Sequence, residues 1–239
     1  MSLKSKIEWT ENTWNPVTGC TKISDGCVNC YANRMAGRLQ KMGNAKYKDG
    51  FNLTLHPYCL QDPIGWKKPS RIFVNSMSDL FHKDIPLDYI KQVFDVMNAT
   101  PWHTYQILTK RADNLLKYTD ELNWTNNIWQ GVTVENQKTV GRIDYFRKVP
   151  VKTKFISFEP LIGDVGKIDL TNIDWAIVGG ESGWHARFMD IDWVLNIKEQ
   201  CEQQGTLFYF KQWGGTNKKK TGRELLGQTW DDMPEMNVS

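Results

Sequence analysis

The sequence predicts a single-domain α/β fold, a partial TIM-type (β/α)6 barrel of mostly parallel strands spanning residues 1–213. Three observations predict it. From residue 70 onward, short runs of β-branched and aromatic residues alternate with longer polar stretches of helical period. Each of those runs ends in polar or charged residues, the pattern expected where the loops of a parallel barrel converge on one face. The 239 residues, 40% hydrophobic and 24% charged, are enough for one full-sized core.

The elements follow in order. Pro16 and Gly19 break the chain before Cys20, and a helix over Tyr31–Gln40 carries Arg34 and Arg38 beside the apolar Met35 and Leu39. Residues 14–40 are thus a loop leading into a helix, and they contain three of the cysteines. Residues 41–69, rich in Lys, Gly, Asn and Pro without a clear period, read as an irregular insertion. Six strands come next: Arg71–Asn75, Thr104–Leu108, Ile128–Val132, Lys154–Ser157, Trp175–Val178 and Leu207–Phe210. Helices are expected over Leu87–Asn98, Ala112–Tyr118, Gln137–Phe146 and Asp192–Gln204, the last stopped by Gly205. Residues 214–239 read as a polar, loosely structured tail.

Composition excludes several classes. No stretch approaches the ~18 apolar residues of a membrane span, and the first residues lack the apolar run of a secretory signal, so a cytoplasmic protein with no membrane partner is expected. A net charge of +3 is too small to identify a nucleic-acid binder. No Ser-His-Asp order and no phosphate-binding Gly-rich loop with a lysine emerges, so hydrolase and nucleotidase readings have no support. The 11 tryptophans are expected mostly in the core, with one or two able to stack on a base or adenine.

The strand ends carry Asn75, Ser76, Ser78 and Asp79; then Thr109, Lys110 and Arg111; then Thr133, Glu135 and Asn136. Ser157 and Glu159, Gly179 to Ser182, and Lys211, Gln212 and Trp213 complete the set. Six polar strand ends in succession predict one shared concave site.

Cys20, Cys27 and Cys30 stand in a Cys-x6-Cys-x2-Cys loop, with glycine before Cys20 and before Cys27. Clustered thiols in a chain without an export signal point to a metal, and soft thiolates favour zinc or iron. A closed zinc site needs four ligands, and Cys59 or His56 could complete one. Three cysteines without a nearby fourth suit a four-iron cluster with one open iron. Two readings follow: a redox enzyme, or a zinc-stapled non-enzymatic nucleic-acid-binding protein using Lys67, Lys68 and Arg71 or Lys218, Lys219 and Lys220. Cys59 and Cys201 are isolated and expected to be buried.

The Asn15-Pro16 step, Gly19-Cys20 and Cys27-Val28-Asn29-Cys30-Tyr31-Ala32 together resemble the cluster loop of radical S-adenosylmethionine enzymes of the spore photoproduct lyase-like branch, with a longer first spacer than the usual three residues. Ile7 to Thr10, Asn75 to Asp79, Leu108 to Arg111, Phe158-Glu159-Pro160, Gly179 to Gly183 and Phe210 to Gly214 extend the likeness over nearly the whole chain. Together they resemble the phage-associated three-cysteine-motif proteins, which act in bacterial or phage-infected cells.

The resemblance implies that Cys20, Cys27 and Cys30 ligate a [4Fe-4S] cluster and that S-adenosylmethionine binds its open iron. An external one-electron reductant would drive formation of a 5′-deoxyadenosyl radical, used to modify or repair DNA, RNA or a nucleotide. It places Tyr31 beside the cluster and assigns the methionine amine to Ser76, Ser78 and Asp79. Glu135, Glu159 and Glu181 are then available for the ribose, the methionine or the substrate, and Lys110 with Arg111 for a carboxylate or phosphate.

Overall fold

The apolar runs pair as strands because each buries both faces, one against helices and one into an aromatic interior. The computed structural model describes residues 3–5 and 7–236. The short strands β1 (Leu3–Lys4), β2 (Asn12–Trp14), β3 (Val17–Thr18) and β4 (Thr54–Leu55) precede β5 (Arg71–Val74), β6 (Thr104–Thr109), β7 (Ile128–Thr133), β8 (Thr153–Phe158), β9 (Trp175–Gly179) and β10 (Leu207–Gln212). The main sheet runs β1-β2-β5-β6-β7-β8-β9-β10, parallel throughout except for β1. It curls into a half-barrel of seven parallel strands. Because the strands follow chain order, each crossover steps the same way and the helices cover one face, leaving the other concave.

The helices are α1 (Tyr31–Lys41), α2 (Leu87–Ala99), α3 (Ala112–Tyr118), α4 (Arg142–Phe146), α5 (Ile191–Gln204) and α6 (Lys218–Thr221). Asp190 caps α5 through its side chain, and Gly205 ends it in the left-handed conformation at φ 72°. The helix expected over Gln137–Phe146 divides: Asn136 and Thr139 form a capping box around a single 3₁₀ turn, Gln137–Thr139, before α4 starts. No helix among the described residues is long and apolar enough to cross a membrane.

β2 is a seventh parallel strand beyond the six expected. It pairs Asn12 with Ile72 and Trp14 with Val74, and at three residues it is too short to show a period. The insertion contributes β4, which pairs antiparallel with β3, and is otherwise a series of 3₁₀ turns. Residues 225–233 are tied to the sheet edge: Asp231 bridges Tyr209, and the Trp230 carbonyl accepts from Phe210 N at 2.9 Å.

The outer face of the sheet, with Ile72, Ile107, Ile156 and Val178, packs on Ile90, Val93 and Phe94 of α2 and Val194 and Ile197 of α5. The concave face is filled at its N-terminal half by Trp9, Phe73, Trp129, Phe155, Trp175, Ile177 and Tyr209. Trp175 lies 5.6–6.2 Å from the rings of Phe155, Tyr209, Trp9 and Trp129. Gly131 makes room for this layer, since a Cβ there would come within 2.4 Å of the Phe155 ring. With that end plugged by aromatic rings, the polar strand ends gather at the C-terminal mouth of the concavity.

Candidate active site

The cysteine loop is hung across the mouth by the strand ends. Gly19 donates to the Met77 carbonyl at 3.0 Å and forms a parallel bridge with Ser78. At φ 82° its Cα lies so close to the Asn52 carbonyl that a Cβ would meet it at 2.1 Å. One residue beyond Cys20, Arg111 donates through Nη2 to the carbonyl and Oγ1 of Thr21, both at 2.9 Å, and stands 3.8 Å from Cys20 Sγ. His82 completes this clamp. Its Nδ1 accepts from Asp84 N at 3.3 Å, so the proton sits on Nε2 and is given to Thr21 Oγ1 at 2.8 Å. Burial, and then the neighbouring Arg111, hold His82 below its ordinary pKa and keep it neutral.

Cys20, Cys27 and Cys30 are free thiols, each partly exposed. Burial and then Asp79 push the Cys20 thiol up to about 11, with Arg111 opposing and Cys27 adding to the rise. Ser24 lies 3.8 Å from Cys27 Sγ, and Cys30 is the residue from which α1 starts.

Three carboxylates from successive strand ends lie at the mouth, each already paired. Glu135, fully buried, accepts from Ser24 Oγ at 2.7 Å and Arg142 Nη1 at 2.8 Å, with Lys110 Nζ at 3.6 Å. Gly26 packs so closely on it that a Cβ would lie 2.5 Å from its Oε1. Glu159 accepts from Lys211 Nζ on both oxygens at 2.7 Å and from Gln212 Nε2 at 3.3 Å, beside a bulge in β10 between Phe210 and Gln212. Glu181 is held by Arg187 through two side-chain bonds and the Arg187 amide, and by Asn29 Nδ2 at 2.8 Å. Burial opposes its charge, but the Arg187 and Asn29 bonds outweigh it and keep the carboxyl below its ordinary pKa.

The turn after β5 is more committed. Asp79 accepts from Phe81 N, Thr109 Oγ1 at 2.7 Å and Lys110 N at 3.1 Å, with Arg111 Nε at 3.8 Å. Ser78 gives its proton to the Val17 carbonyl at 2.9 Å, and Ser76 donates to Asn15 Oδ1 at 3.2 Å. The Tyr31 hydroxyl donates to the Ser76 carbonyl, joining the start of α1 to this turn. The residues selected from the sequence therefore lie around one mouth. Their partners Thr21, Ser24, Asn29, His82, Arg142 and Arg187 carry no motif in the sequence; the short spacings Glu135 to Arg142 and Glu181 to Arg187 are the one local signal of them.

The donor set fits a cluster in its chemistry: three thiols on one loop, with a guanidinium and a hydroxyl as polar neighbours. Among the described residues no three His, Cys, Asp or Glu side chains converge to hold a single metal ion. The two candidates for a fourth zinc ligand are engaged elsewhere. His56 uses Nε2 on Thr18 Oγ1 at 2.7 Å and Nδ1 on the Tyr58 hydroxyl at 3.3 Å, and Cys59 Sγ accepts from Lys46 Nζ at 3.3 Å.

No curated protein matches the chain. Among solved structures it is similar to spore photoproduct lyase. A tyrosine-to-phenylalanine variant of that enzyme matches at 12% identity and a TM-score of 0.52, covering 87% of this chain and 78% of that one. The lyase complexed with dinucleoside spore photoproduct matches at 13% identity and TM-score 0.47, and a variant with bound AdoMet and the same dinucleoside at 12% and 0.47. Each of these two covers 85% of this chain and 64% of the lyase, so the chain spans less than two thirds of their length. At such identities the likeness is one of fold. Over residues 4–234 the sequence matches the family described as "Protein of unknown function (DUF5131)", and to that family the chain belongs.

Proposed function

We propose that this protein is a radical S-adenosylmethionine enzyme acting on a nucleic acid or nucleotide. Cys20, Cys27 and Cys30 would hold a [4Fe-4S] cluster supplied with electrons by an external one-electron reductant. The observation that carries the reading is the placement of three free, partly exposed thiols on one loop across the mouth of a half-barrel, above three buried or half-buried carboxylates. The chemistry such a group supplies when bound is reductive cleavage of the S-adenosylmethionine sulfonium to methionine and a 5′-deoxyadenosyl radical.

The chain's own residues would do the rest. Arg111 and His82 hold Thr21 and so orient Cys20. Glu135 fixes the Ser24 to Cys27 turn, and Asn29 ties the loop to Glu181. Ser76, Ser78 and Asp79 are the proposed seat of the methionine amine, where Ser76 Oγ keeps lone pairs to accept from it and Asp79 holds the turn from beneath. Tyr31 locks that turn against α1. Glu159 and Glu181, with their charges paired, are proposed to accept from ribose hydroxyls, and Lys110 to receive a carboxylate or phosphate. The aromatic layer of Trp129, Phe155 and Trp175 closes the floor and keeps water out from below.

Anaerobically purified protein tests this. It should be brown, absorb broadly near roughly 400 nm, contain about four irons and four sulfides, and convert S-adenosylmethionine to 5′-deoxyadenosine when given a reductant. Colourless protein with one zinc per chain would overturn it.

A further inference from the structure

Beside the cysteine loop the chain exposes two large aromatic side chains, Trp184 at 68% and Phe188 at 78% of their full accessibility. Trp184 sits within, and Phe188 directly follows, a loop segment whose backbone is held over residues 181–187. Arg34, one turn into α1 from Cys30, donates to the carbonyls of Ser182 and Trp184 at 2.7 Å each. Gly183, at φ 104°, lets the loop close on that guanidinium, since a Cβ there would come within 2.6 Å of it. Asn29 donates to the His185 carbonyl at 3.0 Å, Glu181 is bound to Arg187, and Gly215 pairs with both Glu181 and Gly183. A fixed frame carrying solvent-exposed rings has already met the ordering cost of a binding surface.

The helix that clamps the loop carries cations only. Residues 31–48 contain Arg34, Arg38, Lys41, Lys46 and Lys48 and no Asp or Glu. Arg34 and Lys46 are spent on backbone carbonyls, which leaves Arg38 and Lys41 exposed on the helix that also carries the half-exposed Tyr31 and Met35, with Lys48 exposed in the turn that follows. Open rings beside an acid-free run of cations are complementary to a chain of phosphates with unpaired bases.

We propose that Trp184 and Phe188 form a stacking platform for an unpaired nucleic-acid strand, whose backbone runs along the cations of α1. This deepens the reading of the mouth as an active site and rests on it for the platform's purpose: a stacked base is delivered beside Cys20, Cys27 and Cys30. Trp213, the aromatic at the end of the last strand, is not available for it, because its Nε1 donates to the Glu224 carbonyl and its ring packs 4.9 Å from Phe210.

The test is anisotropy of fluorescein-labelled single-stranded 12-residue DNA and RNA across a salt series, with phosphatidylcholine–phosphatidylserine vesicles as a second probe. Binding should weaken as salt rises. Trp184→Ala and Phe188→Ala should each weaken it roughly ten- to hundred-fold. Arg38→Ala should flatten the salt slope by about one, and Lys91→Ala, a surface cation paired with Glu121, should change neither. Absent or salt-independent binding, undiminished binding by both aromatic variants, or capture of vesicles but not of oligonucleotides overturns the platform. Strand-free cleavage of S-adenosylmethionine is measured on the same preparation. Cleavage without strand binding removes the platform alone, and strand binding without cleavage removes the radical chemistry alone.

Discussion

Replacing Glu135 with glutamine probes the joint between the cysteine loop and the barrel. The carboxylate is fully buried and takes bonds from Ser24 at 2.7 Å and Arg142 at 2.8 Å, with Lys110 at 3.6 Å. Glutamine keeps the volume but removes the charge, and its amide turns a donor toward a group that is itself a donor. Bonds to a charged acceptor are worth about 1.5–3 kcal/mol each, and breaking a buried pair costs about 3–5 kcal/mol. Arg142 and Lys110 are 14% and 21% exposed and recover some hydration, so the low end applies, about 3 kcal/mol.

For a chain of this size that lowers the melting temperature by roughly 6–12 °C. Urea unfolding followed by tryptophan fluorescence measures it. Ser24→Ala should cost about 1–2 kcal/mol, and the double variant should cost at least ~1 kcal/mol less than the sum, because Ser24 donates into Glu135. Both variants should also hold less iron after anaerobic reconstitution. If Glu135→Gln unfolds within ~0.5 kcal/mol of the parent, or the two changes add, then the carboxylate does not anchor the loop.

Three further outcomes are expected. Cys20→Ala, Cys27→Ala and Cys30→Ala should each abolish the iron absorption, while Cys59→Ala and Cys201→Ala, both buried away from the loop, should retain it; iron and sulfide assays decide. His56, pushed down to about 4 by burial and then by Lys46, folds neutral while the unfolded imidazole titrates near 6.5. Its contribution of about 3 kcal/mol is therefore complete above pH ~6.5 and lost as pH falls toward 4; His56→Gln should flatten stability against pH in that window, and an unchanged profile would exclude the effect. Gly180→Ala should destabilise by about 2–3 kcal/mol, because its Cβ would lie 2.1 Å from the Trp213 carbonyl and neither backbone can yield. Gly37→Ala, in mid-α1 with nothing within 4 Å, should instead stabilise by up to about 1 kcal/mol; chemical denaturation of the pair compares them.

The sequence by itself determined the order and kind of the main elements. Strands such as Ile128–Thr133 and Thr153–Phe158 bury every residue, and short runs rich in β-branched and aromatic residues between polar turns mark them locally. It also determined which strand ends carry charge, since Glu135, Glu159 and Glu181 each lie two residues beyond the last buried strand position of their own face. β2 escaped because three residues carry no period, and the division of the helix near Gly141 escaped because Asn136 and Thr139 close a separate capped turn inside a polar stretch that otherwise reads as one helix.

Only the tertiary structure decided how those charges are matched. Asn29 meets Glu181 across 152 positions, Ser24 meets Glu135 across 111, and Arg111 meets Thr21 across 90. The same holds for Trp184 and Phe188, whose letters suggest core packing and whose exposure follows from a loop held shut by Arg34. Periodicity records which face of an element is apolar, a property of neighbours along the chain. The partner of a buried charge is set by which strand ends the curl of the sheet brings together, and no local pattern encodes that distance.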